Sequence, residues 1–468
     1  MKYLKAPFLF TLLILPLVLD YFNQAALGIF ISAILLWMSE LLPLPVTALL
    51  IPVYATSTGV LTSDQAFSQF GNQILFLFLG SFLLAHAMEK HRLDQRMSYW
   101  ILSTPIAAKG PEYTISLISI LAWVLSMWIS NTAATAMMIP LCLGISRTLA
   151  KDWPSIDKGH LEKRLLFSSA FGASIGGMAT PVGSPPNLLA MEFLKARGID
   201  ISFMKWVLFG APLSFVMLIL LLVLLKIKFP IQKRDMKGID LIFKQQLQNM
   251  GKTTKAEILV MMTFFITVML WILPDFLKLL SITSTLSKSI PMGAVALIGA
   301  SLLFIFKDGE NSILTWEDSK QVDWGTVLIF GGGLCLGKIL DVTGLGSNLG
   351  QSVFGHFESI IILGILCTLL GVVVSEFSSN TAATTLLVPI ILGKFGDSSF
   401  ATALVVATAF GASFGFMLPV STPPNAIIYG TGKIQLKEMM STGIIFDILG
   451  ALLVVLFVVL LYPFLGLF

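Results

Sequence analysis

The sequence predicts an all-α polytopic membrane protein with about eleven transmembrane helices, two re-entrant helical hairpins and inverted-topology repeats. Composition is the first reason: 56% of the 468 residues are hydrophobic, 12% are charged, and the mean hydropathy is +0.88. Soluble domains carry about 25% charged residues, so half of the usual charge is missing. In addition, apolar runs of membrane-spanning length recur along the chain, and two motifs occur once in each half.

The apolar runs predict eleven spans, which lie near residues 6–19, 25–39, 44–60, 72–90, 165–196, 204–227, 255–274, 290–306, 322–341, 400–430 and 441–466. Two further apolar stretches, 112–150 and 358–395, are too long for one crossing at about 1.5 Å per residue. We expect each of them to form a hairpin that enters and leaves the membrane on one side.

Two motifs mark corresponding points of the two halves. Ser-Asn-Thr-Ala-Ala-Thr occupies 130–135 and again 379–384, and each hexapeptide is followed by a Pro-Pro-Asn motif, at 185–187 and 423–425. The prolines break the predicted spans 165–196 and 400–430, because proline lacks the backbone N–H group that a helix requires. Paired polar and helix-breaking segments in a hydrophobic chain are typical of the binding site of a secondary transporter.

The repeat predicts the domain organisation. Residues 1–21 form an extra span, 22–228 the first repeat, 229–254 a basic cytoplasmic linker and 255–468 the second repeat. The repeats begin five spans apart. Because five is an odd number, the two halves face opposite ways and the two hairpins enter from opposite sides.

The basic residues predict the orientation. With a cytoplasmic N-terminus, 23 of the 30 Lys and Arg residues lie on the cytoplasmic side. The positive-inside rule therefore predicts a multi-pass protein of the cytoplasmic membrane, with its N-terminus inside and its C-terminus outside. The net charge of +4 is explained by this placement and does not indicate nucleic acid binding.

The sequence gives little support to the interpretation that the protein is an enzyme. The three cysteines lie in apolar segments without metal-ligand or disulfide spacing, and the four histidines are scattered. No Gly-rich phosphate-binding loop follows a strand.

The hexapeptides carry the chemistry of a binding site. An Asn amide offers oxygen to a cation and NH2 to an anion, and a hydroxyl can serve either. A helix that starts at the motif would also direct its positive dipole end at an anion. One copy alone would more simply pack helices together in lipid, but two copies in inverted halves favour binding.

A serine precedes each hexapeptide serine by four residues, at Ser126 and Ser375. Helical spacing places Ser126 and Ser130, or Ser375 and Ser379, on one face. Oxygen ligands without a carboxylate suit sodium better than a divalent ion. The alternative, hydroxyls bonded back to their own helix, applies to any one of them.

Ionisable residues within predicted spans suggest function by default. They are Glu40, His86, Lys338, Glu376 and Asp447. Glu376 is the most interesting of them, because it follows Ser375 and has no acidic counterpart in the first half.

With these motifs the chain resembles the divalent anion/sodium symporter family, the sodium-coupled dicarboxylate and sulfate transporters. The hallmark of that family is a paired Ser-Asn-Thr motif, present here at 130–132 and 379–381, and the resemblance covers essentially the whole chain. It implies eleven spans, two re-entrant hairpins, a homodimer in membrane lipid, and a transport domain that slides like an elevator against a scaffold. It implies sodium ions as co-transported ligands and no organic cofactor.

The resemblance also implies roles for individual residues. The anion would be held by two clamps and two turns, formed by Asn131, Thr132, Ser184, Pro185, Asn380, Thr381, Thr422 and Pro423. Sodium site one would consist of Ser126, Ser130, Asn131 and Gly183. Sodium site two would consist of Ser375, Ser378, Asn380 and Ser421, with Ser378 and Ser421 contributing backbone carbonyls.

These residues predict sodium-coupled symport of a dicarboxylate of the succinate, fumarate or malate type. The motifs contain no Lys or Arg that could replace a cation, and two clamps suit an anion with two charged ends. A sodium-independent dicarboxylate exchanger and a sodium/sulfate symporter remain alternatives within the family. A channel, which would pass current without saturation, is an alternative of a different class.

Overall fold

The computed structural model describes residues 2–21, 23–152, 157–232, 239–280, 291–396 and 398–464. Residue 22, linker residues 233–238, residue 290 of one predicted span and residues 465–466 of the last one lie outside the described residues. The chain is almost entirely helical. Its one β-ladder is a pair of two-residue antiparallel strands, β1 (Lys307–Asp308) and β2 (Asn311–Ser312). This short ladder is a departure from the predicted all-α fold.

The first half comprises α1 (Lys2–Asp20), α2 (Ala25–Ser39), α3 (Leu44–Ser57), α4 (Ser63–Phe67), α5 (Gln73–Lys90), α6 (Leu93–Leu102), α7 (Pro111–Ser126), α8 (Asn131–Asp152), α9 (Lys158–Gly177), α10 (Pro185–Lys195) and α11 (Phe203–Lys228). Short 3-10 turns lie at Ser68–Gly71 and Ala107–Lys109. The predicted linker contains a helix of its own, α12 (Ile239–Asn249).

The second half comprises α13 (Lys255–Leu279), α14 (Met292–Ile305), α15 (Trp324–Val342), α16 (Leu345–Phe354), α17 (Ile360–Phe377), α18 (Asn380–Phe395), α19 (Ala401–Ala412), α20 (Pro423–Gly430), α21 (Leu436–Val454) and α22 (Tyr462–Phe464). A 3-10 turn occupies Trp316–Gln321, and a π-helical segment, Val455–Leu461, joins α21 to α22. From α5 to α11 and from α15 to α21, the helices follow in the same order around the two motifs.

Seven helices in the described part of the chain are long and apolar enough to cross a membrane, and several shorter helices are apolar as well. Helices of this composition are stable in lipid because they satisfy all their backbone hydrogen bonds internally. The protein is therefore a multi-pass helical membrane protein.

The two halves pack through matching glycine contacts. A β-carbon at Gly80 of α5 would lie 2.5 Å from the backbone of Ala296 in α14, and one at Gly332 of α15 would lie 2.5 Å from the carbonyl oxygen of Ala48 in α3. Only glycine permits such a close approach of two helices. Each of these two tight pairs therefore joins one helix of the first half to one helix of the second half.

The helices around each hexapeptide are also held by small residues. A β-carbon at Gly172 of α9 would lie 3.1 Å from the Ser119 carbonyl of α7, and one at Gly411 of α19 would lie 2.3 Å from the Thr368 carbonyl of α17. These contacts pack the middle of α7 against α9 and the middle of α17 against α19, so the helix that leads to each hexapeptide is held closely by its neighbour.

Candidate functional site

Both hexapeptides and both Pro-Pro-Asn motifs meet at a single cavity of about 240 Å³. The remaining wall comes from α5 and from the start of α15. All eight residues predicted to bind the anion line this cavity, namely Asn131, Thr132, Ser184, Pro185, Asn380, Thr381, Thr422 and Pro423. Of the residues predicted for sodium, Ser130, Asn131, Gly183, Asn380 and Ser421 also line it.

Four helix N-termini converge on the cavity: those of α8, α10, α18 and α20. The first serine of each hexapeptide is the N-cap of its helix. Ser130 Oγ accepts the N–H of Ala133 at 3.2 Å, and Ser379 Oγ accepts that of Ala382 at 3.1 Å. Such caps satisfy one of the free donors at a helix start and leave others directed at the cavity.

The Pro-Pro-Asn motifs hold the two helix breaks in the same way. The side-chain amide of Asn187 donates to the carbonyls of Gly177 and Thr180 at 2.8 and 2.7 Å. That of Asn425 donates to the carbonyls of Gly415 and Leu418 at 2.8 and 3.0 Å. Both side chains are fully buried. Each asparagine therefore binds two carbonyls in the break between the helices and fixes the loop before α10 or α20.

Two buried hydroxyls of the cavity lining, Ser184 Oγ before α10 and Ser81 Oγ on α5, have no hydrogen-bond partner among the described residues. Buried polar groups normally have partners, so these hydroxyls are available to a ligand. Within the described residues, Asp323 is the only ionisable side chain that lines the cavity. Its carboxylate accepts the backbone N–H of Thr326 at the start of α15.

The residues predicted for sodium site one lie around a cluster of oxygens. The hydroxyl of Ser126 donates to Asn131 Oδ1. A β-carbon at Gly177 would lie 2.5 Å from that Oδ1 and 2.9 Å from the Gly183 carbonyl oxygen. One at Gly183 would lie 3.0 Å from the Ser126 carbonyl oxygen. The side-chain and carbonyl oxygens are close together because two glycines leave room for them, and such a donor set fits a monovalent cation.

The residues predicted for sodium site two have a similar arrangement around Ser375. Its Oγ lies 2.6 Å from Asn380 Oδ1, 2.8 Å from the Ala412 carbonyl oxygen and 3.3 Å from the Phe414 carbonyl oxygen. A hydroxyl has one proton and can donate to only one of these three acceptors. Gly415, with φ of +117°, closes the loop against Ser375 in a conformation that favours glycine.

The structure corrects one step of the sequence argument. Helix α7 ends at Ser126 and α17 ends at Phe377, so neither serine pair lies on a continuous helix. Ser126 and Ser375 instead contact the asparagine five residues later. Ser378 does not line the cavity, and its hydroxyl donates to the Val374 carbonyl at 2.8 Å.

Glu376 holds the loop that precedes α20. Its carboxylate accepts the N–H groups of Met417 and Leu418 at 2.7 and 3.0 Å, together with the hydroxyl of Ser421. The carboxyl of Asp447 on α21 contacts Glu376 and the same loop, and both acidic residues are buried. The geometry therefore gives Glu376 a local role, which is to orient the backbone of the loop in the second half.

Sequence reasoning missed several residues that shape the site. Ser81, Asp323 and Thr326 carry no repeated motif, and only the fold brings them to the cavity. Gly177 could have been found, because it stands in the small-residue segment that precedes the first Pro-Pro-Asn motif.

A helical membrane protein whose broken helices bring two polar motifs to one cavity belongs, by fold and site, to the class of membrane transporters. Residues 3–468 match the model of the family described as the sodium:sulfate symporter transmembrane region. The chain belongs to this family, and it is a transporter and not an enzyme.

Relatives and a solved structure extend this result. The sodium-dependent dicarboxylate transporter SdcS of Staphylococcus saprophyticus is 34% identical over 478 residues, covering 98% of this chain and 90% of that protein. SdcS of Staphylococcus aureus USA300 is 33% identical over 455 residues, covering 93% and 86%. Neisseria gonorrhoeae MtrF, described as illuminating a class of antimetabolite efflux pumps, has a similar fold, with a TM-score of 0.54 over 87% of this chain and 83% of that one at 15% identity.

Proposed function

We propose that the protein is a sodium-coupled symporter for a four-carbon dicarboxylate of the succinate, fumarate or malate type. The observation that carries this proposal is the convergence of four helix N-termini on a cavity whose described lining has no Lys, Arg or His. The names of the SdcS relatives, sodium-dependent dicarboxylate transporters, support the same conclusion.

The magnitudes explain why sodium is needed. A charge at a helix N-terminus gains at most about 2 kcal/mol in a partly buried geometry. Removing ions from water costs several kcal/mol for each charge, and a dicarboxylate carries two. Four helix ends together gain at most about 8 kcal/mol, which is of the same order as this cost and leaves little net affinity. Because the described lining has no Lys, Arg or His, bound cations supply the neutralisation that the anion needs. Because the ions attract each other, binding of sodium and of the anion is mutually reinforcing.

The proposed sites follow the oxygen clusters. Asn131 and Thr132 hold one carboxylate, and Asn380 and Thr381 the other. The turns before α10 and α20 close around the substrate, with Ser184 and Thr422 as polar contacts. Sodium site one uses Ser126, Ser130, Asn131 and Gly183. Sodium site two uses Ser375, Asn380 and the carbonyls of Ser378 and Ser421.

The proposed architecture is the one implied by the repeat. Eleven spans and two re-entrant hairpins, α7–α8 and α17–α18, form inverted repeats with a cytoplasmic N-terminus. The hairpins and the broken spans α9–α10 and α19–α20 move as one body past a scaffold in a homodimer. The matching order of the helices supports the repeat, and the basic residues support the orientation.

The decisive experiment measures uptake of labelled succinate into proteoliposomes with an inward gradient of either sodium or choline. We expect saturable uptake with sodium and little with choline. Equal uptake in choline that requires internal dicarboxylate would establish exchange instead. Inhibition of succinate uptake by sulfate at lower concentrations than by malate would favour the sulfate symporter.

A further inference from the structure

A second cavity, of about 360 Å³, adjoins the substrate cavity. One wall is the face of α8 from Ala133 to Leu141, and the other is the end of α5 and the start of α6, from Glu89 to Tyr99. We call this cavity the acidic groove. Thr132 on α8 and Ala85 on α5 line the substrate cavity. The groove is lined by Ala133, the next residue of α8, and by Glu89, one helical turn further along α5. The groove thus continues the substrate cavity toward the C-terminal end of α5.

The groove contains a buried carboxylate without a full set of partners. Asp94, in the first turn of α6, is 5% exposed, and within the part of the chain that the structure describes its Oδ1 has no hydrogen-bond partner. Glu89 lies at the exposed rim of the same groove. A buried carboxylate that lacks a partner is costly, so it persists where it has a ligand or a task. Burial raises the pKa of Asp94 to about 6, which still leaves the carboxyl mainly ionised at neutral pH.

Two of the neighbouring cations are engaged elsewhere, and the exposed Arg92, which stands between Glu89 and Asp94 in the sequence, does not line the groove. Lys90 Nζ lies 2.8 Å from Asp318, and Arg96 Nε lies 2.7 Å from Glu257. Within the described residues, no Lys, Arg or His lines the groove, and the wall formed by α8 is apolar. Two negative charges with no cationic side chain in the described lining of their groove attract cations and repel a dianion.

We propose that Asp94 and Glu89 form a binding site for a monovalent cation, which holds sodium on its path between the first hexapeptide and the water at the end of α5. The side-chain oxygens of the described lining belong to Glu89, Asp94, Gln95 and Tyr99, which stand on one wall only, so they do not surround an ion as the six to eight oxygen ligands of calcium do. The site raises the local concentration of sodium beside Asn131. Its negative charges also repel a dicarboxylate that has been released on this side. The inference rests on the proposed function, since it identifies the cation as the transported sodium.

The test uses the full-length protein with Ala136→Cys, a change at an exposed position of the groove. A cationic and an anionic methanethiosulfonate reagent of similar size are compared. We expect the cationic reagent to react faster, and the ratio of the two rates to fall about tenfold when Asp94→Asn and Glu89→Gln are combined. Each single change lowers the ratio in part, so a folding defect in one variant leaves the other informative.

Sodium provides the second readout. We expect sodium chloride, but not choline chloride, to slow the cationic reagent in the parent and to lose this effect in Asp94→Asn. Glu317→Gln is the matched control, because it removes a negative charge from a side chain that is 74% exposed and does not line the groove. The parent without Ala136→Cys measures the background from the three buried native cysteines.

The outcomes separate the two proposals. An unchanged rate ratio in both carboxylate variants, equal effects of sodium and choline, or protection by magnesium or calcium at lower concentrations than by sodium each overturn the cation site. Absence of sodium-dependent succinate uptake by the parent overturns the proposed function, while the labelling measurements still report whether the groove binds a cation.

Discussion

Asn131 and Asn380 each lie where a cluster of oxygens meets the cavity. The oxygen of each amide faces a serine hydroxyl, Ser126 or Ser375, and both asparagines line the cavity. An amide can offer its oxygen to a cation and its NH2 group to an anion at the same time. In the proposed function, the asparagines therefore couple the two ligands directly, and the threonine that follows each of them contacts the anion alone.

This division gives the first residue-scale prediction. Thr132→Ala and Thr381→Ala should raise the KM for succinate at saturating sodium at least tenfold, because a hydrogen bond to a charged group contributes about 1.5–3 kcal/mol. Ser126→Ala and Ser375→Ala should mainly raise the sodium concentration needed for half-maximal uptake. Both constants are measured by initial rates of uptake in proteoliposomes.

Thr384→Ala is the matched control for the threonines. Thr384 belongs to the same hexapeptide, but its hydroxyl donates to the Asn380 carbonyl within its own helix and does not line the cavity. We expect normal constants for this variant. If the threonine variants changed the sodium dependence and the serine variants changed the KM for succinate, the assignment of the two sets would be wrong.

At the scale of single elements, the helix breaks give the site its shape. Helix α9 ends at Gly177 and α10 begins at Pro185, and Asn187 holds the intervening loop through two carbonyls. The loop brings the Gly183 carbonyl beside Asn131, and Gly177 leaves the space that this approach requires. The proposed sodium site one therefore needs a residue without a side chain at Gly177.

Gly177→Ala tests this condition. The added methyl group would lie 2.5 Å from Asn131 Oδ1, so the asparagine or the loop must move. We expect the sodium concentration for half-maximal uptake to rise more than tenfold, or uptake to be lost. Gly144→Ala on α8, where a β-carbon meets nothing within 4 Å, is the control and should transport normally.

Thermal unfolding of the purified variants separates a local effect from a general loss of folding. We expect Gly177→Ala to remain folded without ligand and to lose the stabilisation that sodium gives the parent, because a ligand that binds only the native state stabilises it. If sodium stabilised Gly177→Ala as much as it stabilises the parent, the cluster around Asn131 would not be a sodium site.

The sequence predicted which residues form this site better than it predicted their geometry. The eight residues expected around the anion all line one cavity, because the repeated motifs combine polar groups with helix-breaking prolines. The prediction that Ser126 and Ser130 share one helix face was wrong, because helical spacing does not apply beyond the end of α7. Ser81, and the acidic groove with Asp94, could not be predicted, since contacts between distant helices place them at the cavities.

At the scale of the whole molecule, the two hexapeptides are not equally accessible. Ala133 is half-buried and lines the acidic groove. Ala382, its counterpart in the second half, is 1% exposed and packs in an apolar cluster with Trp37, Ala48 and Ile339 of α2, α3 and α15. One motif therefore adjoins a groove while the other is packed against neighbouring helices. A transporter that alternates between two sides requires such an asymmetry in each of its states.

The final prediction concerns the motion that this asymmetry requires. A cysteine at Ala133 should react with a bulky aqueous thiol reagent mainly from the cytoplasmic side, and one at Ala382 mainly from outside and more slowly, because α18 must first leave its apolar cluster. Excess sodium with succinate should change both rates, since the bound ligands join the two hexapeptides into one body. The measurement uses right-side-out and inverted membrane vesicles, with sodium alone and choline with succinate as controls. Labelling of both positions from the same side, or rates that ignore the ligands, would refute the inverted arrangement and the common movement of the two hairpins.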